Sequence, residues 1–203
     1  VLIDCLDNEL VDFGKHVIPG AIERLKVDAY IFQGYWEDIG TIRAFFDANI
    51  NLADKNPPYR FYVAGRPIYT QPRFLPASIV RNSTIDQAII SDGSHIFDSR
   101  VERCVVGIRS IIRSGSTVKN TILMGADYYD ADVTDAPAGA SPIGIGRNCI
   151  IDHAIIDKNA RIGDGVVISP EGKSQDFDGD GYYVRDGIVV IPKNSVIAPG
   201  TCL

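Results

Sequence analysis

Ile145-Gly146-Arg147-Asn148-Cys149-Ile150-Ile151-Asp152-His153-Ala154-Ile155-Ile156-Asp157-Lys158-Asn159-Ala160-Arg161-Ile162-Gly163-Asp164-Gly165-Val166-Val167-Ile168 decides the fold. Ile145, Ile151, Ile156, Ile162 and Ile168 return every five or six residues. A helix repeats its apolar face at three and four, and a strand at two, so neither regular pattern fits. Turn-forming groups sit between the anchors: Gly146-Arg147-Asn148, Asp157-Lys158-Asn159 and Gly163-Asp164-Gly165.

The same interval extends in both directions, through Ile79, Ile85, Ile90, Ile96, Val101, Val106, Ile112, Val118 and Leu123 upstream, and Val190 and Val196 downstream. Three units of a short extended run plus a turn close into a triangular coil. Its inward Ile or Val stacks on the next about 4.8 Å along the axis, and the backbone pairs as parallel sheet on three sides. One coil cannot bury its own apolar face, which explains the persistence of the pattern. A β-sandwich of short strands is the plainer alternative, and its strand lengths would vary more.

Two segments leave the register. Residues 126–142 carry Tyr128-Tyr129, Asp127, Asp130, Asp132 and Asp135, then Pro137, Ala138, Gly139 and Ala140; residues 170–187 are polar and acidic. Both are expected to project from corners as loops, at the cost of loop closure. Asp176, Asp178, Asp180 and Gly181 imitate the start of a calcium loop. The twelfth position is Gly187 where a bidentate Glu is needed, so a solvated acidic loop is the expectation.

Before the repeat the pattern changes. Ile18-Pro19-Gly20 punctuates, Ala21 to Leu25 suggests a short helix, Ala29-Tyr30-Ile31-Phe32 a strand, and Thr41 to Leu52 an amphipathic helix begun at Thr41. These divide the chain into 1–53, α/β material; 54–78, a proline-bearing linker; and 79–203, the coils. Gly34-Tyr35-Trp36-Glu37-Asp38-Ile39-Gly40 puts two carboxylates between a strand and a helix start, where α/β domains place ligands; a magnesium ligand and a surface turn are both open readings. Trp36 suits packing better than ligation. Asp12-Phe13-Gly14 matches a kinase metal loop in three letters, with no catalytic loop before it.

The 203 residues are 45% hydrophobic and 23% charged, with net charge -6 and thinly spread basic residues. Nucleic acid is therefore a poor partner. Cys5, Cys104, Cys149 and Cys202 are far apart and suit reduced thiols. No apolar stretch suits a membrane span, and Asp4, Asp7 and Glu9 do not suit a signal peptide. A start at Val1 suggests missing upstream sequence.

The coil register makes a further expectation. Ile191 should return to the face of Ile156 once the second insertion is discounted. Lys158 and Lys193 then lie two residues past equivalent anchors, each followed by Asn, and stack one coil apart. Two such ammonium groups repel, and an anion between them converts that cost into binding. Arg161 reads as an ordinary solvated cation.

Five segments in order resemble one family: Gly34 to Phe46, Pro67 to Pro76, Met124-Gly125-Ala126-Asp127-Tyr128-Tyr129, Pro142-Ile143-Gly144-Ile145-Gly146, and Ile155 to Gly163. The chain is similar along essentially its whole length to the C-terminal half of glucose-1-phosphate adenylyltransferases, of bacterial or small-subunit type. The resemblance implies a left-handed parallel β-helix of hexapeptide repeats preceded by the C-terminal remnant of a nucleotidyltransferase domain. It implies that the full enzyme makes ADP-glucose and pyrophosphate from ATP and glucose 1-phosphate with Mg²⁺, for glycogen or starch synthesis. The nucleotide loop and catalytic arginine fall outside these residues, so the fragment alone is expected to be inactive. Asp38 is implied as the catalytic, metal-binding carboxylate, with Glu37 and Asp12 on the substrate side. Gln71, Arg73, Lys158 and Lys193 are implied as ligands of a phosphorylated activator and inorganic phosphate. A homotetramer or heterotetramer in the bacterial cytoplasm or plastid stroma follows from the same likeness. Hexapeptide-repeat acyltransferases are a second class, with His95 or His153 as base, His16 lying outside the coils. A purely structural assembly module is a third.

Overall fold

The computed structural model describes residues 2–6, 12–132 and 141–203. Asp7, Glu9, Asp135, Pro137, Ala138, Gly139 and Ala140 lie outside the described residues. The chain divides into two compact units, Val1–Trp36 and Glu37–Leu203.

In the first unit, α1 (Leu2–Leu6) and a π-helical turn, Phe13–Val17, lead into α2 (Ile18–Ile22). Pro19 stands in the first turn of α2, where its missing N–H costs nothing. The expected punctuation at Ile18-Pro19-Gly20 is therefore a helix start, and the helix precedes the expected Ala21 to Leu25 by three residues. Asp12 caps the π-helical turn, its carboxylate accepting the Lys15 N–H at 2.8 Å. The strand expected at Ala29 to Phe32 does not form. The backbone is irregular there, and Tyr30 and Ile31 are 89% and 82% exposed, because β-propensity needs a neighbouring strand and the described residues supply none. Trp36, expected to pack, is also exposed.

The second unit opens with α3 (Ile42–Ile50), whose Thr41 cap accepts the Ala44 N–H at 3.1 Å, as the sequence suggested. A 3-10 turn, Asn51–Ala53, and then irregular chain follow to residue 78. One sheet then stacks β1 (Ile79–Arg81), β3 (His95–Phe97), β5 (Ile111–Ile112), β7 (Gly144–Ile145), β9 (Arg161–Ile162) and β14 (Val196–Ile197). The other stacks β2 (Thr84–Ile90), β4 (Arg100–Val106), β6 (Thr117–Leu123), β8 (Ile150–Ile156) and β13 (Ile188–Ile191), with β10 (Val167–Ile168) also on β8. All these ladders are parallel.

The long strands β2, β4, β6 and β8 each fold over a corner. Gln87, Arg103, Asn120 and His153 hold positive φ at mid-strand and drop out of the pairing, so each strand supplies two sides of the triangle. Inside, the stacks run Ile85, Val101, Val118, Ile151, Ile168, and Ile90, Val106, Leu123, Ile156, Ile191. A third runs Val80, Ile96, Ile112, Ile145, Ile162, Ile197.

These stacks correct three anchors. Val80 occupies the position expected for Ile79, and Ile191 and Ile197 are buried in place of Val190 and Val196. The strand Ile188-Val189-Val190-Ile191 is apolar at every position, so hydrophobicity alone does not mark its inward face. Val190 pairs with Ile155 on the outside, beside Ile122 and Val105, and this outer stripe is covered by Phe45, Phe46 and Ile50 of α3.

The second insertion is also corrected. It contains β11 (Phe177–Asp178) and β12 (Tyr183–Arg185), antiparallel to one another, with β12 antiparallel to β13, and it buries Val184 in the main core. An edge strand offers unpaired backbone groups, and the hairpin satisfies those of β13. Two of its acidic residues are used internally: Asp178 pairs with Arg185, and Asp176 accepts the Asp186 N–H at 3.3 Å. Cys104 and Cys149 are buried free thiols, and burial pushes Cys104 up to about 11.

Candidate functional site: a cationic corner of the coils

The corner after β8 and β13 carries Lys158 and Lys193. Ile156 pairs with Ile191, and the Asn194 N–H donates to the Lys158 carbonyl at 3.0 Å, so the two lysines are stacked one coil apart as the repeat required. Asn159 and Asn194 take the left-handed backbone of the turn, and the Asn159 amide donates to Asn194 Oδ1 at 3.1 Å. Asparagine tolerates that conformation better than most side chains, which explains the repeated Lys-Asn pair.

The space between the lysines holds an anion belonging to the chain. Lys158 Nζ lies 3.0 Å from Asp127 Oδ1, and Lys193 Nζ 2.8 Å from Asp127 Oδ2. Asn159 Nδ2 donates to the same carboxylate at 3.2 Å, and Asn159 Oδ1 accepts the Asp127 N–H at 2.8 Å. The hydrogen bonds from Lys193 and then Lys158 hold the Asp127 carboxyl well below its usual range, and the same carboxylate raises Lys193. Sequence reasoning found both lysines and missed this partner. Its signal is topological: one coil earlier Gly125 and Ala126 occupy the equivalent corner, so the insertion, expected from Ala126, begins at Asp127, beside the lysine column.

The rest of the emerging segment is fastened to the same flank. Tyr129 donates its hydroxyl to the Gly93 carbonyl at 2.7 Å, with the Arg109 guanidinium 6.0 Å from its ring centre. Asp130 accepts the Ile143 N–H at 2.7 Å and pairs with Arg161 at 2.6 Å. Arg161 is therefore not the solvated cation expected: it is 6% exposed and also donates to the Ser141 carbonyl. Its partners are supplied by the insertion, far away in sequence, which local charge spacing cannot reveal.

The other expected effector ligands are not joined to this corner. Gln71 and Arg73 are exposed, and among the described residues neither shares a hydrogen bond with the lysines or with Asp127. Glu37 and Asp38 lie in an exposed irregular segment. No group of three His, Cys, Asp or Glu suited to a metal occurs among the described residues. Asp38 has no ion pair there, so its carboxylate is open for one ligand bond, and a Mg²⁺ site typically takes only one or two carboxylates besides phosphates and water. Of the histidines, His153 packs on Phe46 with ring centres 4.8 Å apart, and burial lowers it; His95 lies beside Phe97 and Tyr129.

A parallel β-helix preceded by short helices, taken with the family models, defines the class: a nucleotidyltransferase fitted with a hexapeptide-repeat domain. In those models, residues 6–55 match the nucleotidyl transferase family and residues 73–202 the GLGC left-handed parallel beta-helix domain. The chloroplastic/amyloplastic glucose-1-phosphate adenylyltransferase small subunit of Triticum aestivum is 45% identical over 199 residues, 95% of this chain and 42% of that protein. The chain belongs to the glucose-1-phosphate adenylyltransferase family and spans less than half the length of this relative. The hand of the coils, which spacing does not set, is the left hand of that domain.

Proposed function

We propose that these residues are part of an enzyme that joins ATP and glucose 1-phosphate into ADP-glucose and pyrophosphate, and that the cationic corner is its effector site. The stacked Lys158 and Lys193 carry this reading, since two ammonium groups converge on a single anion. A phosphorylated activator or inorganic phosphate is the external ligand of that chemistry; Arg73 and Gln71, exposed in the linker and not joined to the corner here, are its further ligands in the full-length enzyme. Asp38 serves as one Mg²⁺ ligand, with Glu37 and Asp12 on the substrate side. Mg²⁺, when bound, supplies charge that neutralises phosphate oxygens. The sugar phosphate attacks the α-phosphorus in line, so the protein contributes mainly position and electrostatics. A homotetramer or heterotetramer, in bacterial cytoplasm or plastid stroma, accompanies this assignment. No helix among the described residues is long and apolar enough to cross a membrane.

Calorimetric titration of a phosphorylated activator into the full-length enzyme tests the effector site. Lys158→Ala should weaken binding by about 1 to 3 kcal/mol, the value of a charge-assisted contact. Equal affinities for wild type and variant would remove the site. Asp38→Asn, in the same full-length background, should lower kcat with the melting temperature unchanged; unchanged kcat at saturating Mg²⁺ excludes the metal role.

A further inference from the structure

Asp127 is tied to its place by the backbone just before its Cα. Ala126 before it is buried and donates its N–H to the Ile108 carbonyl at 2.9 Å, and the Asp127 N–H is held by Asn159 Oδ1. Its carboxylate therefore meets the lysines as an intramolecular ligand, at an effective concentration no dilute solute matches. The corner is nevertheless open to solvent, with the Asp127, Lys158 and Lys193 side chains 36%, 35% and 49% exposed.

Building on the reading of Lys158 and Lys193 as an anion site, we propose that Asp127 is a tethered competitor that sets its specificity. Free monovalent carboxylates lose to it, whereas a phosphate group displaces it. A phosphate monoester carries nearly two charges and three strong acceptor oxygens, enough to engage both ammonium groups and retain further contacts. A free carboxylate offers nothing that Asp127 does not already supply. The exchange requires only rotation of the Asp127 side chain, because its backbone bond to Asn159 is independent of the carboxylate. When the carboxylate leaves, the Asn159 amide keeps its bond to Asn194. The two lysines hold Asp127 ionised throughout the physiological pH range, so a ligand, and not a change of pH, removes it.

The experiment uses full-length protein, titrated with inorganic phosphate and separately with acetate, as wild type, Asp127→Asn and Lys158→Ala. Asp127→Asn should tighten phosphate by about tenfold, the scale of one lost competing charged contact, and should bring acetate into measurable binding. Lys158→Ala should weaken phosphate. If Asp127→Asn leaves phosphate affinity unchanged or lower while Lys158→Ala weakens it, the competitor is overturned and the anion site stands. If neither substitution changes phosphate affinity, the anion site itself falls. Asp127→Ser, which removes the carboxylate, gives the same readout if thermal melting shows that the Asn variant is misfolded.

Discussion

Residues 79–203 and residues 12–36 are both rich in isoleucine, valine and aromatic side chains, and the two segments use them in opposite ways. In the coils, Ile96, Ile112, Ile151, Ile162 and Ile168 are wholly buried against their own repeats. In the earlier segment, Tyr30, Ile31 and Phe32 stand in solvent. A repeat contains its own partner, since each rung is covered by the next. A lone strand-like run does not, and its pattern becomes structure only where a second surface meets it.

That contrast is broken most directly by cavity mutations. Ile162→Ala should destabilise the chain by about 2 to 5 kcal/mol, the cost of an unfilled core site. Ile31→Ala should stay within about 0.5 kcal/mol, as exposed positions do. Urea unfolding of both variants measures the difference, and equal losses would mean that Ile31 is buried in solution.

Corner glycines sharpen the comparison within the coils. Gly125 has φ of +84°, and a Cβ there would collide with the Ile108 carbonyl oxygen. Gly125→Ala should cost about 1 to 3 kcal/mol from strain, and more as the rung shifts. Gly165 has φ of +70° with open space around it, so Gly165→Ala should cost only about 1 kcal/mol, from backbone conformation alone. Melting curves that reverse this order would show that corners yield more easily than the ladders.

The smallest effect concerns acid. Asp127 titrates below its ordinary 3.8, so its stabilising contribution is present above that pH and disappears as the pH falls through the depressed value. Wild type should exceed Asp127→Asn slightly in melting temperature at neutral pH, and the gap should close in acid and in high salt. A gap independent of pH would assign the difference to packing.

The sequence made legible whatever depends on nearest neighbours. The five- and six-residue spacing placed the inner stacks, Thr41 placed the start of α3, and counting from Ile156 and Ile191 aligned the lysines. What it hid depends on distant partners. Val190 reads as an inward anchor because an all-apolar strand conceals its phase, and the outer stripe it joins is defined by α3. Arg161 looked solvated because Asp130 and Ser141 reach it from an insertion. Asp127 was visible only as one acid among several. At the candidate site, the cations were readable and the resident anion was not.

The insertion that begins at Asp127 has a consequence for the order of folding. Before it, neighbouring corners are joined across short separations, 16 residues between Asn82 and Asp98; across it, Asn120 meets Asp152 over 32. Doubling a closed loop costs about 0.6 kcal/mol of chain entropy, so this rung, like the one across the second insertion where Asn159 meets Asn194 over 35 residues, zips more slowly than the local pairings. The coils from β1 to β6 can form as one short-range block and those from β8 to β10 as another, with β13 and β14 joining across the second insertion. The triad of Asp127, Lys158 and Lys193, with the Arg161–Asp130 pair beside it, spans the seam where the two blocks close.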